Sequence, residues 1–403
     1  MNQRDMRPPF AALGGTIPPE LEKLPTPCYL LDEAALTRNA EILGGLAQRT
    51  GCKVLLAQKA FSNYDCYPLL APHLAGTEAS GLFEARLGAE EMPGKEVHVF
   101  CAAYRADEMD ELVQYADHIV FNSLAQLAKF GPAAKAAGKS VGLRINPECS
   151  TQDGHAIYDP CAPGSRLGTT RAQWNAAVAA NPALPNLLDG LHFHTLCEQD
   201  SDALATTLDA VAQKFGDLLP RMQWLNFGGG HHITRPGYDI ATLERCITRA
   251  QQDWGVTVYL EPGEACALNA GFLLSRVLDV VQNGDTTIAI LDASAACHMP
   301  DVIEMPYRPP LFAAAEPGEK PCTVRLAGPT CLAGDVIGDY GVDAVPNVGD
   351  LLVFGDMAIY TTCKNNTFNG MPLPAIFARA ASGTTRSIVS FGYEDFKYRL
   401  GKR

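Results

Sequence analysis

The stretch VLLAQKAFSN, residues 54–63, is an apolar run that stops on Lys59. A lysine is costly to desolvate and needs water or a partner. Taken alone, Lys59 reads as the first solvent-facing residue after a strand. Other apolar runs end on polar groups too. Glu78 and Ser80 end GTEAS, Asn122 ends HIVFNS, and Arg144 and Asn146 end VGLRINP. His192 and His194 end LDGLHFHTL, Gly228, Gly229 and Gly230 end QWLNFGGG, and Glu261 ends VTVYLEPGE. One polar strand end carries no information, but several converging on one rim make a site.

The residue types suggest which chemistry. Three glycines after a strand leave backbone N–H groups uncovered, and before a helix they can cradle a phosphate. Alone, NFGGGH fits a flexible loop equally well. Glu261 is either the partner of an arginine or a carboxylate that keeps a ring nitrogen protonated. A lysine for carbonyl capture, a phosphate cradle and an acid for a pyridinium together specify pyridoxal 5'-phosphate. His192 and His194 share one face of a strand. No third ligand stands at a telling spacing for zinc, so no metal is expected. One of the two suits stacking on an aromatic cofactor, and the other suits a core position.

These residues need a scaffold that gathers strand ends. Between the apolar runs lie helical stretches at Gly81–Glu90, Ala106–Ala116, Ser123–Gly138, and in DALATTLDAVAQKFGDLL and ATLERCITRAQQDW. About eight strand–helix units over residues 50–270 predict a closed (β/α)8 TIM-like barrel, whose sites lie at the C-terminal strand ends. No GxGxxG follows the first run, which disfavours an open dinucleotide-binding sheet. After about residue 270 the texture changes. GFLLSRVLDVVQ, TTIAILDAS, CTVRLAGPT and DLLVFGDM read as strands joined by Gly, Pro and Asp turns. The expected domains are an N-terminal extension and strand joining the β-domain (1–34), a cofactor-binding barrel (35–272) and a C-terminal all-β domain (273–403).

Composition narrows the classes. With 403 residues, 47% hydrophobic and 19% charged, the chain reads as globular. A formal net charge of −13 argues against nucleic acid as a partner. No run is long and apolar enough for a membrane span, and the N-terminus lacks the apolar core of a signal peptide. Thirteen cysteines without CxxC spacing suit a reducing cytoplasm rather than a disulfide framework.

AQKA, FHTLCE, NFGGG, EPG, GPTCLAGD and AIYTT…TFNG follow one another in this order. In that the chain resembles the fold-type III, alanine racemase-like, pyridoxal-phosphate decarboxylases. This family includes ornithine, diaminopimelate and carboxynorspermidine decarboxylases. The likeness runs from PTPCYLLDE at Pro25 to TFNG near Gly370. HFHTLCE, YLEPGEA and LAGPTCLAGD are most similar to the carboxynorspermidine/carboxyspermidine branch, in polyamine biosynthesis.

The resemblance implies a homodimer with shared active sites and a role for each matching residue. Lys59 holds the cofactor covalently, His194 stacks on its ring, and Glu261 pairs with the ring nitrogen. Gly228, Gly229 and Gly230 bind the phosphate with Tyr360 nearby, and Arg144 supports the cofactor. Cys331 comes from the second subunit to assist protonation, with Asp335 beside it. Two departures stand out. Ornithine decarboxylase relatives have Arg where this chain has Glu264, and an acid where it has Leu332. Loss of that acid disfavours ornithine. A polyamine-like substrate needs carboxylates or other polar groups for its amines. The candidates are Glu198, Glu264, Asp292, His298, Asp301 and Asp335. The competing expectations are a decarboxylase of another diamino acid, diaminopimelate or ornithine, and a non-catalytic cofactor-binding regulator.

Overall fold

A computed structural model describes residues 10, 13, 16–152 and 159–402, so residues 1–9, 11, 12, 14 and 15 of the N-terminal extension lie outside the described residues. The chain forms two compact units. One holds residues 38–59 and 66–266. The other holds the chain up to Thr37, Ala60–Asp65 and everything from Ala267 onward.

The strands are, in chain order, Cys28–Asp32 (β1), Lys53–Ala57 (β2), Gly76–Ala79 (β3), Glu96–Cys101 (β4), His118–Phe121 (β5), Ser140–Arg144 (β6), Gly190–His192 (β7), Trp224–Asn226 (β8) and Thr257–Leu260 (β9). Gly271–Asn283 (β10), Thr286–Leu291 (β11), Cys322–Ala327 (β12), Val336–Val342 (β13), Leu351–Gly355 (β14), Ala375–Arg379 (β15) and Thr385–Val389 (β16) follow.

In the first unit β2 to β9 pair in parallel around a closed barrel, shut by Lys53 opposite Tyr259 and Val54 opposite Leu260. All eight expected runs are barrel strands. Their near-continuous apolar character follows from burial on both faces. The helices begin where side chains can accept the orphan N–H groups of a first turn. Ser123 caps Leu124–Ala136, Asp200 caps Ser201–Phe215 and Asp239 caps Ile240–Trp254. The helices after β2 and β9 shrink to four residues each, Tyr67–Leu70 and Glu264–Ala267.

Large side chains fill the barrel. Leu55, Val120, Trp224 and Tyr259 form one buried cluster. Trp224 is admitted by two glycines on neighbouring strands. A Cβ on Gly190 would stand 2.0 Å from the indole, and one on Gly142 2.3 Å. Toward the N-terminal end of the strands sit Glu96, His98 and His118. Glu96 pairs with Lys53, and His98 Nε2 lies 3.0 Å from Glu96 Oε2. The two imidazoles stack face to face at 3.9 Å with planes 15° apart.

The second unit is a mixed sheet ordered β13-β12-β11-β10-β1-β15-β16, with β14 also on β10. Leu30, Cys28, Phe272, Leu274, Leu351 and Val353 share its core. The N-terminal strand β1 runs antiparallel to β10 and parallel to β15. This unit is less purely β than the sequence suggests. It carries the short helices Ala295–His298, Asp301–Glu304 and Thr361–Lys364 and the longer Tyr393–Leu400. It begins before residue 273, since β10 starts at Gly271. Among the described residues, no helix is long and apolar enough to cross a membrane.

Candidate active site

The barrel gathers a polar set at the C-terminal ends of its strands. Lys59 follows β2, Glu78 lies in β3, and Arg144, His192 and Asn226 close β6, β7 and β8. Glu261 is the first residue past β9 and is 3% exposed. Both of its oxygens are held. His192 Nε2 lies 3.0 Å from Oε2, and the Asn226 side-chain amide donates to Oε1 at 2.5 Å. Burial works against the Glu261 charge. The interactions with His192 and the positive charge of Lys59 outweigh it, and the carboxyl is held well below the usual range.

Glu78 goes the other way. Burial pushes its carboxyl up to about 8, against the pull of Lys59 and with the repulsion of Glu261. Its Oε2 is buried and has no hydrogen-bond partner. Two carboxyls of one barrel thus differ in protonation at neutral pH, the pattern that separates an acid from an anion. Glu78 is visible in the sequence only as a polar strand end; nothing local marks its neutral state.

Arg144 is 5% exposed, and burial lowers its guanidinium to about 10 with Glu261 opposing, so it stays charged. It donates to the His194 carbonyl at 3.0 Å and lies over the Phe100 ring at 4.5 Å. Phe100 in turn stacks on His192 at 5.4 Å. Phe100 and Asn226 were not foreseen; neither residue type signals a site without its neighbours.

His192 and His194 are not equivalent. β7 ends at His192, and His194 lies in the loop beyond, its Nδ1 accepting from Gly229 N–H at 3.3 Å. Burial, with the charges of Lys59 and Arg144, lowers His194 well below the ordinary histidine range, so the ring is neutral. The glycine turn is tight. Gly228 and Gly230 have φ of +69° and +82°, and a Cβ on Gly229 would meet the Glu261 carbonyl at 2.6 Å. Gly228 N–H donates to Asn226 Oδ1 at 2.8 Å, so two of the three amides already have acceptors in the chain. Asn122 and Asn146 serve elsewhere. Asn122 bonds to Arg166 and Gly168, and Asn146 to Leu167 and Glu148.

Glu198 and Glu264 come together around a residue the sequence reading passed over, His232. One ligand-type atom from each lies within 4.8 Å of the others.

Within the sheet unit, Tyr360 has a φ of +60° and its N–H donates to Ala60 O at 2.8 Å. Cys331 is exposed, and its thiol donates to Asn369 Oδ1 at 3.1 Å. Four residues expected to bind the substrate amines have partners inside this unit. Asp292 accepts from Ser275 Oγ, Arg276 N–H and Thr26 Oγ1. Asp335 accepts from Ser294 Oγ and Ala296 N–H on one oxygen and from Thr330 on the other. His298 is fully buried, with Nδ1 accepting from Ser294 N–H and Nε2 donating to Pro372 O. Asp301 pairs with Lys364, which also holds Glu304.

Residues 28–358 match the family model described as "Pyridoxal-dependent decarboxylase, C-terminal sheet domain". The chain belongs to this family. The pyridoxal-dependent decarboxylases similar to it include the carboxyaminopropylagmatine decarboxylase of Synechocystis sp., 44% identical over 95% of this chain and 97% of the relative. The carboxynorspermidine/carboxyspermidine decarboxylase of Campylobacter jejuni is 41% identical over 94% of this chain and 99% of the relative. The crystal structure of carboxynorspermidine decarboxylase from Campylobacter jejuni, complexed with norspermidine, superposes with a TM-score of 0.85. It is 39% identical, with 93% of this chain and 100% of that chain covered.

The barrel residues fit the cofactor of this family. A lysine, an anionic carboxylate and a neutral imidazole stand on one rim. The buried, partnerless Glu78 Oε2 is a group that folding alone leaves unsatisfied, at a cost of about 1–3 kcal/mol.

Proposed function

We propose that this chain is a carboxy-lyase converting carboxynorspermidine or carboxyspermidine to norspermidine or spermidine with pyridoxal 5'-phosphate, in the reducing cytoplasm. The observation that carries the chemistry is Glu261, a buried carboxylate kept anionic between His192 and Asn226 on the rim that holds Lys59. The substrate class is supported by the 41% identity to the Campylobacter jejuni enzyme over nearly both lengths. The compartment is supported by thirteen free thiols.

When bound, pyridoxal phosphate supplies an electron sink for the bonding pair left behind by CO2. Lys59 would hold the cofactor covalently. Glu261 keeps a proton on the ring nitrogen, because a nearby anion favours the charged form. The neutral His194 ring offers its face for stacking, and its carbonyl bond to Arg144 holds it in place. The Gly228–Gly230 turn would hold the phosphate, and Tyr360 would be a further phosphate residue. Cys331, from the second copy in a homodimer, delivers the proton that replaces the carboxylate.

A second reading has a specific basis. The Synechocystis sp. relative acts on a substrate named for agmatine, and it is 44% identical to this chain. A guanidinium tail and an ammonium tail make different demands on hydrogen bonding, so one assay separates them. Purified protein loaded with cofactor is given carboxynorspermidine, carboxyspermidine, carboxyaminopropylagmatine, diaminopimelate and ornithine in parallel. CO2 and amine are followed by mass spectrometry. Turnover of a carboxy-triamine supports the proposal. Exclusive turnover of the agmatine compound moves the assignment to the second reading, and turnover of only diaminopimelate or ornithine rejects both. Lys59→Ala should abolish turnover and the visible absorbance of lysine-bound cofactor.

A further inference from the structure

Arg144 and His192 stand opposite one another on the neighbouring strands β6 and β7. A third strand, β4, sends Phe100 against both. The Arg144 guanidinium lies 4.5 Å from the Phe100 ring centroid, and the His192 imidazole stacks on that ring with centroids 5.4 Å apart and planes 17° apart. His192 is 1% exposed. Its Nε2 lies 3.0 Å from Glu261 Oε2, while its Nδ1 is buried with no hydrogen-bond partner among the described residues. An imidazolium has two N–H groups to satisfy, and one of them would be buried here without an acceptor. A neutral ring with its proton on Nε2 leaves only a bare acceptor nitrogen. The surrounding charges agree. Burial lowers the His192 imidazole below its ordinary range, Glu261 opposes this, and Arg144 and Lys59 add to it. His194, also close by, is itself neutral.

Glu261 is then held by two uncharged donors, the Asn226 amide and the His192 imidazole. The Arg144 guanidinium lies on Phe100 and donates to the His194 carbonyl instead. An uncharged donor fixes a carboxylate and keeps it ionised, yet leaves its field intact. An imidazolium at the same place would cancel most of that field. We propose that His192, stacked on Phe100, stands as the neutral Nε2–H tautomer and holds Glu261 without neutralising it, so that the whole negative charge acts on the cofactor ring nitrogen. The inference rests on the cofactor reading above and deepens it. His192 is a positioning residue, acting through Glu261.

Two nitrogen measurements test this. Protein labelled with 15N-histidine is first examined by NMR without cofactor, and His192 is assigned by the signals lost in His192→Gln. The expected result is one protonated and one bare nitrogen, the proton on Nε2, unchanged between about pH 6 and 8. An imidazolium at neutral pH, or a proton on Nδ1, overturns the inference. Pyridoxal phosphate labelled with 15N in its ring is then bound to wild type, His192→Gln and His192→Leu, with circular dichroism checking the fold. Glutamine keeps an uncharged N–H donor and should leave the ring resonance where wild type has it. Leucine removes the donor and makes Glu261 more basic. The ring resonance should then move toward the unprotonated form, and turnover should fall about tenfold. A ring nitrogen more protonated in His192→Gln than in wild type means that the histidine carried charge, and overturns the inference. So does a folded His192→Leu protein with the same ring resonance as His192→Gln, which marks a merely space-filling role. Wild type that takes up no pyridoxal phosphate overturns the cofactor reading itself. That result is distinct, because the histidine spectrum without cofactor still decides the tautomer.

Discussion

The Asn226 side-chain amide donates to Glu261 Oε1 at 2.5 Å. The same side chain accepts from Gly228 N–H through Oδ1. One residue therefore ties the anion of the site to the turn beside it. Asn226→Leu leaves both groups buried and unpaired. The expected cost is about 2–4 kcal/mol in urea unfolding. Turnover should fall while Lys59 still binds the cofactor, as read by visible absorbance. Unchanged stability would mean that water replaces the amide.

Glu78 predicts a pH effect of defined sign. Its folded carboxyl is raised to about 8, above the ordinary unfolded value of about 4.3. Between these values the folded chain binds the extra proton. The contribution of Glu78 to stability is thus complete at low pH and is lost as pH rises through about 8. Glu78→Gln removes that slope. Unfolding of wild type and variant, measured without cofactor from pH 5 to 9, should diverge in favour of the variant toward the alkaline end.

His298 predicts the opposite slope. Burial lowers it to about 4, with the Pro372 carbonyl opposing. The unfolded imidazole takes a proton near pH 6.5, so stability from His298 is present above that pH and lost as pH falls toward 4. His298→Gln should flatten acid unfolding of the sheet unit between about pH 6.5 and 4, followed by tryptic cleavage within residues 267–402.

Asp335 holds the Cys331 segment from behind. Its carboxylate takes four donors from Ser294, Ala296 and Thr330, and its N–H donates to Leu332 O. A Cβ on Gly328 would meet Asp335 Oδ2 at 2.2 Å. Asp335→Ala should cost about 3–5 kcal/mol. Turnover should fall sharply while cofactor absorbance persists. Loss of the absorbance as well would count against a role confined to the sheet unit.

The barrel was legible because parallel strands buried on both sides leave uninterrupted apolar runs, and Lys59, Arg144 and Glu261 interrupt them at one end. The sheet was only half legible. β13, β15 and β16 are partly exposed, with mixed composition that reads like the turns around them. The partners of Asp292, His298 and Asp335 were invisible in the sequence for one reason. A carboxylate or imidazole beside a turn looks available in sequence, yet Thr26, Pro372 and Thr330 reach them through contacts that only the folded chain creates. Glu198 and Glu264 were found one at a time. His232, which joins them, is hidden in a doublet whose first member, His231, is an ordinary core histidine bonded to Phe227 O.

β1 is buried at all five positions, between a strand that starts at Gly271 and one that starts at Ala375. A ribosome releases Cys28–Asp32 early and supplies its two neighbours late. The barrel segments, complete by Cys266, can close in the meantime. The newborn chain thus carries an unpaired, mostly apolar strand, CYLLD, through most of its synthesis, an aggregation hazard that a holdase chaperone would relieve. A stop codon shortly before Ala375 would leave one edge of Leu30 bare for good, so damage at the end of the gene would be felt at its beginning.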